Sequence, residues 1–487
     1  MQDNKLALLS GIGSVAGLVE LDVSRNRIAV IGRALAAATS LARLNLDGNV
    51  LNEGQIGALA DIRSLRRLRL SGNNIAGVLG PALLAPLALL THLDVSGNSL
   101  RALGGLASRS LRALRASGNA IEELSFGDGG CPALESLELA GNRLRSLSGL
   151  AGPSAAPALQ FLDVDRNALT SWVDWDLRSV RTLSARRNAI CDDVGGRGSG
   201  AAGGVGGGHA AVVAGGPRLD AVETLALDHN EIADLTPLGG CTQLRRLLAG
   251  NNRLTIALPE VAGGWPSLAE LDVRWNAVTR LGPAVGQGTP ALVVLRVSHN
   301  ALRRAAAVVA ALRALRCCAL LDTRGNPVTE GLYAPPRAGE DDPGASGGPM
   351  AVVADDAIAR ATGPTALSEA PAIDAVEALP PARAGARLAY RALLLSAAPS
   401  SLVLLDGIAV TGEERASGVA LAAQVRATVC ACFCACSCVC FAMSVSVFVV
   451  CAMVPRVRAR VPCSCGSRSL TAPRHPCHPW GATPRLL

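Results

Sequence analysis

Lysine and aromatic rings are nearly missing from this chain. Lys5 is the one lysine among 46 basic residues, and Phe, Trp and Tyr make up 2% of 487 positions. Arginine in lysine's place, beside 52 Gly and 27 Pro, is what a GC-rich coding sequence gives, so the net charge of +7 says little about partners. The basic residues form no run: Arg67 and Arg69 are followed by Asp94, and Arg115 by Glu138. Direct nucleic-acid binding is disfavoured on that ground. No cysteine precedes Cys131, which excludes a disulfide-stapled first segment; Cys131, Cys191, Cys241, Cys317 and Cys318 are scattered, which reads as a reducing, cytoplasmic setting.

Catalytic signatures are missing as well. The glycines at 203–208 lack the Lys-Ser/Thr that a phosphate-binding loop needs, and no kinase signature or Cys/His metal spacing occurs in the ordered-looking part. His92 with Asp94, and Asp228 with His229, fall at solvent-side strand positions where such residues are ordinary. A non-enzymatic chain without cofactor or metal is expected.

Asparagine, which GC bias works against, stops at Asn326. Eighteen are present, and thirteen occupy one place in a recurring frame. The clearest copy is Leu65–Ile75, LRRLRLSGNNI, in the pattern L-x-x-L-x-L-x-x-N-x-L. Its middle reads as a short strand with Leu68 and Leu70 facing inward and Arg67, Arg69 and Ser71 outward. The asparagine amide, with two donors and an acceptor, is suited to tie neighbouring coils. The ladder positions are Asn26, Asn49, Asn73, Asn98, Asn119, Asn142, Asn167, Asn188, Asn230, Asn252, Asn276, Asn300 and Asn326, and Asn4-Lys5-Leu6 fits as the tail of one further unit. One copy cannot bury its leucines, but stacked copies can. Leu6–Val19 is apolar enough to mimic a signal peptide, yet cleavage there would cut into the coil ending at Asn26, so the repeat reading prevails.

This frame is the leucine-rich-repeat signature. The resemblance implies an α/β fold, a solenoid or horseshoe with a parallel sheet on its concave face, over residues 1–333. After Asn98, Asn142 and Asn230, apolar residues recur every third position (Leu100, Leu103, Leu106; Leu144, Leu147, Leu150; Ile232, Leu235, Leu238), which predicts tight helical or 3₁₀ returns and resembles the SDS22-like class. Leu254–Glu260 and Leu281–Val285 look like fuller helical returns. Tyr390-Arg391, Leu402, Leu405-Asp406-Gly407, Thr411 and Glu414-Arg415 resemble the C-terminal cap of intracellular leucine-rich-repeat proteins. Those relatives include the SDS22 phosphatase regulator, the U2 spliceosomal A-prime protein and axonemal proteins. The cap is expected at 388–418 as a Tyr-headed helix and an LxxLD turn.

Two stretches interrupt this scheme. The Gly-rich 192–216 reads as a flexible insertion, and 334–387, rich in Pro, Ala and Gly, as a disordered one. The tail 419–487 contains an uncharged, cysteine-rich run at 427–454. It is read as an unstructured segment or a gene-model artefact, since Val-Cys alternation is what a translated GT repeat gives, in preference to a membrane span or a thiolate metal site.

A binding surface remains. Inner-face positions lie two, four and six residues before each ladder asparagine, with the residue just before it on the rim. Partner-binding candidates are Phe161, Asp163, Asp165, Arg186, Arg187, Asp272, Arg274, Trp275 and Arg296, where scarce aromatics meet arginines. The function expected is a monomeric adaptor holding a protein partner on the concave face. The resemblance supplies two settings, ciliary or axonemal assembly and regulation of a serine/threonine phosphatase; the alternative is a membrane-anchored recognition protein, should 427–454 be real.

Overall fold

The computed structural model describes residues 2–424, apart from 192–216, 334–380 and short gaps at 10–11, 13–14, 16, 32–34, 36, 152–154, 174, 261–263, 283–284 and 421–422. Its strands are β1 (Glu20–Asp22), β2 (Arg43–Asn45), β3 (Arg67–Arg69), β4 (Ala76–Leu79), β5 (His92–Asp94), β6 (Ser99–Leu106), β7 (Ala113–Arg115), β8 (Glu123–Phe126) and β9 (Ser136–Glu138). They continue as β10 (Phe161–Asp163), β11 (Thr182–Ser184), β12 (Thr224–Ala226), β13 (Arg246–Leu248), β14 (Glu270–Asp272), β15 (Val294–Arg296), β16 (Leu320–Asp322), β17 (Leu404–Leu405) and β18 (Ile408–Ala409). One sheet of 15 strands runs β1-β2-β3-β5-β7-β9 and then β10 to β18 in order. Each of the thirteen frames contributes one strand, and all thirteen pair in parallel and in register, leucine on leucine: Leu44 on Leu68, Leu137 on Leu162, Leu271 on Leu295. This is a leucine-rich-repeat solenoid.

The short strands follow from the frame. Alternation sends the central leucine of each strand, and the apolar residue two later, into one continuous core, where Leu68, Leu93, Leu114 and Leu183 are buried. The chain then turns, because the residue before every ladder asparagine is left-handed, with φ between +51° and +67°. Coils ending at Asn49, Asn73, Asn98, Asn119 and Asn142 put glycine there, which adopts that conformation without steric cost. The asparagine locks the turn. At Asn142 the Oδ1 accepts the Ile121 N–H at 3.0 Å, while Nδ2 donates to Ala116 O at 3.0 Å and Leu139 O at 2.8 Å, so one amide serves two coils.

The scheme holds at the start of the array and across its longest interval. Asp3 is left-handed at φ 56° and Leu6 N–H donates to Asn26 Oδ1 at 3.1 Å, which places Asn4–Leu6 as a coil's tail. The interval holding 192–216 leaves the ladder unbroken: Asn230 Oδ1 accepts Ile190 N–H at 3.1 Å, and β11 and β12 pair Leu183 with Leu225. The insertion itself, like the segment 427–454, lies outside the described residues.

The returns differ in part from the sequence reading. Ser148–Leu150 and Thr236–Gly240 form the 3₁₀ turns expected. Leu100, Leu103 and Leu106 do not: they lie on the extended β6, which joins β4 and β8 in a second, three-stranded parallel sheet. Bulges at Gly77/Val78 and between Leu103 and Leu106, with Gly105 at φ 62°, stretch the inward period from two to three. No helix occupies the described part of 254–260 or 281–285; the long return helix is instead α3 (Ala305–Ala314), after α1 (Ile56–Ala60) and α2 (Pro81–Leu84).

Beyond β16, helix α4 (Pro381–Leu395) packs against α3. It starts within the stretch read as a disordered insertion, so Tyr390 and Arg391 stand in its last turns and not at its head. Leu404 and Leu405 pair with Leu320 and Leu321, and β18 closes the sheet antiparallel. The Asp406 carboxylate accepts the Thr323 N–H at 2.6 Å, taking the place of the carbonyl that a further repeat strand would offer. Tyr390 OH meets Thr323 Oγ1 at 2.8 Å. The fully buried Arg391 donates to Leu405 O at 2.7 Å and pairs with Glu414.

Candidate functional site

Side chains two, four and six residues before each ladder asparagine stand on the face of the main sheet opposite the leucines, in three rows. From β10 to β16 the middle row is Asp163, Ser184, Ala226, Leu248, Asp272, Arg296 and Asp322. Because the strands are parallel and in register, a residue meets the equivalent residues of the coils on either side. Charges far apart in sequence therefore become neighbours.

Of the candidate residues, Arg186, Arg274 and Arg296 are largely spent on such neighbours. Arg186 Nε lies 3.1 Å from Asp228 Oδ2, out of line for a hydrogen bond; Arg274 binds Asp272 at 2.8 Å; and Arg296 pairs with Glu270, which also accepts Arg246 Nε at 2.7 Å. The three arginine side chains keep 11%, 16% and 20% of their exposure. Asp165 accepts the Ser184 hydroxyl at 2.6 Å and the Arg186 N–H at 2.7 Å, and Asp163 accepts the Asp165 N–H at 3.0 Å. Phe161 is half-buried at the start of β10, and Arg187 is exposed on the rim.

Glu270 and Arg246 belong to this network, Asp322 and Arg324 pair at 2.9 Å on the same face, and all four are absent from the sequence-based set. All four obey the spacing rule, lying six, six, four and two residues before Asn276, Asn252 and, for the last two, Asn326, so the rule alone reaches them. The set missed them because it was gathered around Phe161 and Trp275.

Carboxylate ionisation reflects this packing. Burial pushes Asp228 up to about 7, with Arg186 opposing and Asp272 reinforcing. Burial, aided by Asp165, pushes Asp163 up to about 6. Glu270 is also raised by burial, but Arg296 and Arg246 outweigh it and hold the carboxyl below its ordinary range. Burial pushes the Cys241 and Cys318 thiols up to about 12, as expected for packed core side chains. Among the described residues no group of three His, Cys, Asp or Glu could hold a metal ion.

Trp275 is the large apolar residue left in contact with solvent here. It is 40% exposed, left-handed at φ 56°, and its ring stacks on His299 with centroids 3.8 Å apart and planes 3° from parallel. His299 lies in turn against Gly325, where a Cβ would fall 2.5 Å from Nδ1. Coil spacing sets this stack, since the two rings occupy the same place in consecutive repeats. Phe161 and Trp275 are four strands apart and at opposite ends of their strands, so they do not form one patch.

A concavity of about 260 Å³ lies on the same face among earlier coils, lined by Arg67, Leu68, Arg69, His92, Leu93, Asp94, Ala113 and Arg115. Among the described residues no helix is long and apolar enough to cross a membrane.

Residues 16–75 match the family model described as leucine rich repeat. An internalin of Listeria monocytogenes is similar at 18% identity over 63% of this chain and 81% of that one, with a TM-score of 0.40. A leucine-rich-repeat protein of Leptospira interrogans has 19% identity over 66% and 88%, TM-score 0.44, and the APL1 leucine-rich repeat domain 21% over 67% and 79%, TM-score 0.49. No curated protein sequence matches.

Proposed function

We propose that this chain is a non-enzymatic scaffold that holds a protein partner on the inner face of its main sheet, between β10 and β15, with Trp275 as the anchor. One observation carries the reading: Trp275 is the one aromatic among the large apolar residues exposed in the described part, and it is held rigid by the His299 stack at a position where glycine would be easier. A preorganised ring loses little entropy on binding, which is why such residues concentrate binding energy. The arginines behind it act mainly by fixing the carboxylates, so that the face presents set charges to a partner.

The resemblance of the C-terminal segment to the cap of SDS22-like and axonemal proteins supplies two settings for the scaffold, phosphatase regulation and ciliary assembly. In support, α4, β17 and β18 close the last coil through Tyr390, Arg391 and Asp406, residues of the motif itself. Co-purification from cells of the source organism separates the settings. A phosphatase catalytic subunit supports the first and an axonemal component the second, whereas a partner that is retained in full by Trp275→Ala argues against the proposed face.

A further inference from the structure

The 260 Å³ concavity on β3, β5 and β7 has walls and floor of different character. In the row that starts these strands, Arg67 faces His92, and His92 faces Ala113; beyond Ala113 comes Ser136. Side chains shrink abruptly along that row, and the methyl of Ala113 leaves a basin beside two large neighbours. In the middle row Arg69, Asp94 and Arg115 follow one another, so the basin sits between three guanidinium groups and one carboxylate. Its volume is below the roughly 300–1,000 Å³ usual for drug-sized ligands and suits a single side chain.

The charges are not equally engaged. Arg69 pairs with Asp47 at 2.6 Å and Arg115 with Glu138 at 3.0 Å, but these arginine side chains stay 59% and 58% exposed. Such surface pairs contribute little and exchange partners readily. Arg66 and Arg67 form no ion pair among the described residues. The electrostatic effect shows on His92, which is held below its ordinary pKa by burial and then by Arg67, Arg115 and Arg112, with Glu135 opposing. The Thr91 hydroxyl, donating to Arg66 O at 2.8 Å, leaves its oxygen to accept from His92 Nδ1 at 2.8 Å. In its neutral form the ring therefore carries its proton on Nδ1.

We propose that this basin receives one anionic side chain of the protein partner, a carboxylate or a phosphorylated hydroxyl, held between the guanidinium groups of Arg67 and Arg115 over Ala113. Planar guanidinium forks match both oxyanions. The inference rests on the scaffold reading in that the ligand is a peptide group, but it uses coils far from Trp275 and is tested apart from it.

The test is fluorescence anisotropy with the full chain and three labelled extended peptides that differ only in having Glu, phosphoserine or Gln at alternate positions. The Glu or the phosphoserine peptide is expected to bind at least about tenfold more tightly than the Gln peptide, and which of the two does so identifies the oxyanion. In the exposed-site double variant Arg67→Gln/Arg115→Gln that preference disappears with the melting temperature unchanged, whereas Trp275→Ala and the return-side pair Arg303→Gln/Arg304→Gln keep it. The proposal is overturned if the Gln peptide binds as tightly, if the Arg67/Arg115 variant keeps the preference, or if the return-side variant loses it equally. If binding fails in Trp275→Ala alone, the inference falls while the scaffold reading stands.

Discussion

The ladder asparagine is the residue on which the array depends, and it shows how far a single position can be read. Its donors and acceptor are spent locally and on the preceding coil, in a pattern repeated from Asn26 to Asn326, so sequence spacing alone identifies it. Asn142→Ala leaves the Ile121 N–H and two carbonyls without their partner inside the coil, and a loss on the order of 1–3 kcal/mol is expected in urea unfolding. Gly325→Ala is expected to cost a similar amount, because the site is left-handed at φ 67° and an added Cβ meets the His299 ring. The arginine partners were not legible in this way. Arg186 finds Asp228 across the interval that contains 192–216, and only the register of β11 on β12 brings them together. Hence Arg274, which composition presents as exposed binding surface, is bound to a buried Asp272, and Arg274→Ala is expected to lower stability as well as any affinity.

At the scale of elements, the strands were legible and the returns only in part. A strand is set by the alternation of leucines in its own frame. A return is set by the space between neighbouring coils, which is why one three-residue period became the bulged strand β6 and two others became 3₁₀ turns. Helix α4 was misplaced at its start for a related reason. The Ala-rich residues before Tyr390 carry helix propensity, but the surrounding Pro and Gly composition concealed it. The C-terminal unit also carries a titration. Asp406 is pushed up to about 6, first by burial and then by Asp322, against hydrogen bonds from Tyr333 and Thr323. A carboxyl raised in the folded state holds its proton where the unfolded chain has released it, so its stabilisation is complete below about pH 4 and is lost as pH rises to about 6. Asp322 and Glu270, both held low, act in the opposite sense. The readout is thus a difference: wild type minus Asp406→Asn should fall by on the order of 2 kcal/mol between pH 4 and 7, and a flat difference would show that the carboxyl is not raised.

For the solenoid as a whole, stability is a sum over neighbouring coils, and the ladder bond from Ile190 to Asn230 closes across the interval that holds residues 192–216. Replacing them with a short Gly-Ser link should raise stability slightly, by about 1 kcal/mol or less, since each halving of a loop returns about 0.6 kcal/mol; a large loss in thermal unfolding would instead give the insertion a structural role. The partner is what the repeat leaves undetermined. Every coil obeys the same spacing, so the proposed binding chemistry rests on the positions that the spacing leaves open.

The most direct measurement is therefore the affinity of the co-purified partner for wild type, Trp275→Ala and the return-side variant Arg303→Ala, taken with the melting temperature of each. Truncating an anchor of this kind costs about 2 kcal/mol, or roughly thirtyfold in affinity. That loss is expected for Trp275→Ala at unchanged melting temperature, with Arg303→Ala indistinguishable from wild type. Full affinity in Trp275→Ala, together with loss in Arg303→Ala, would move the function from the inner face to the returns and contradict the account.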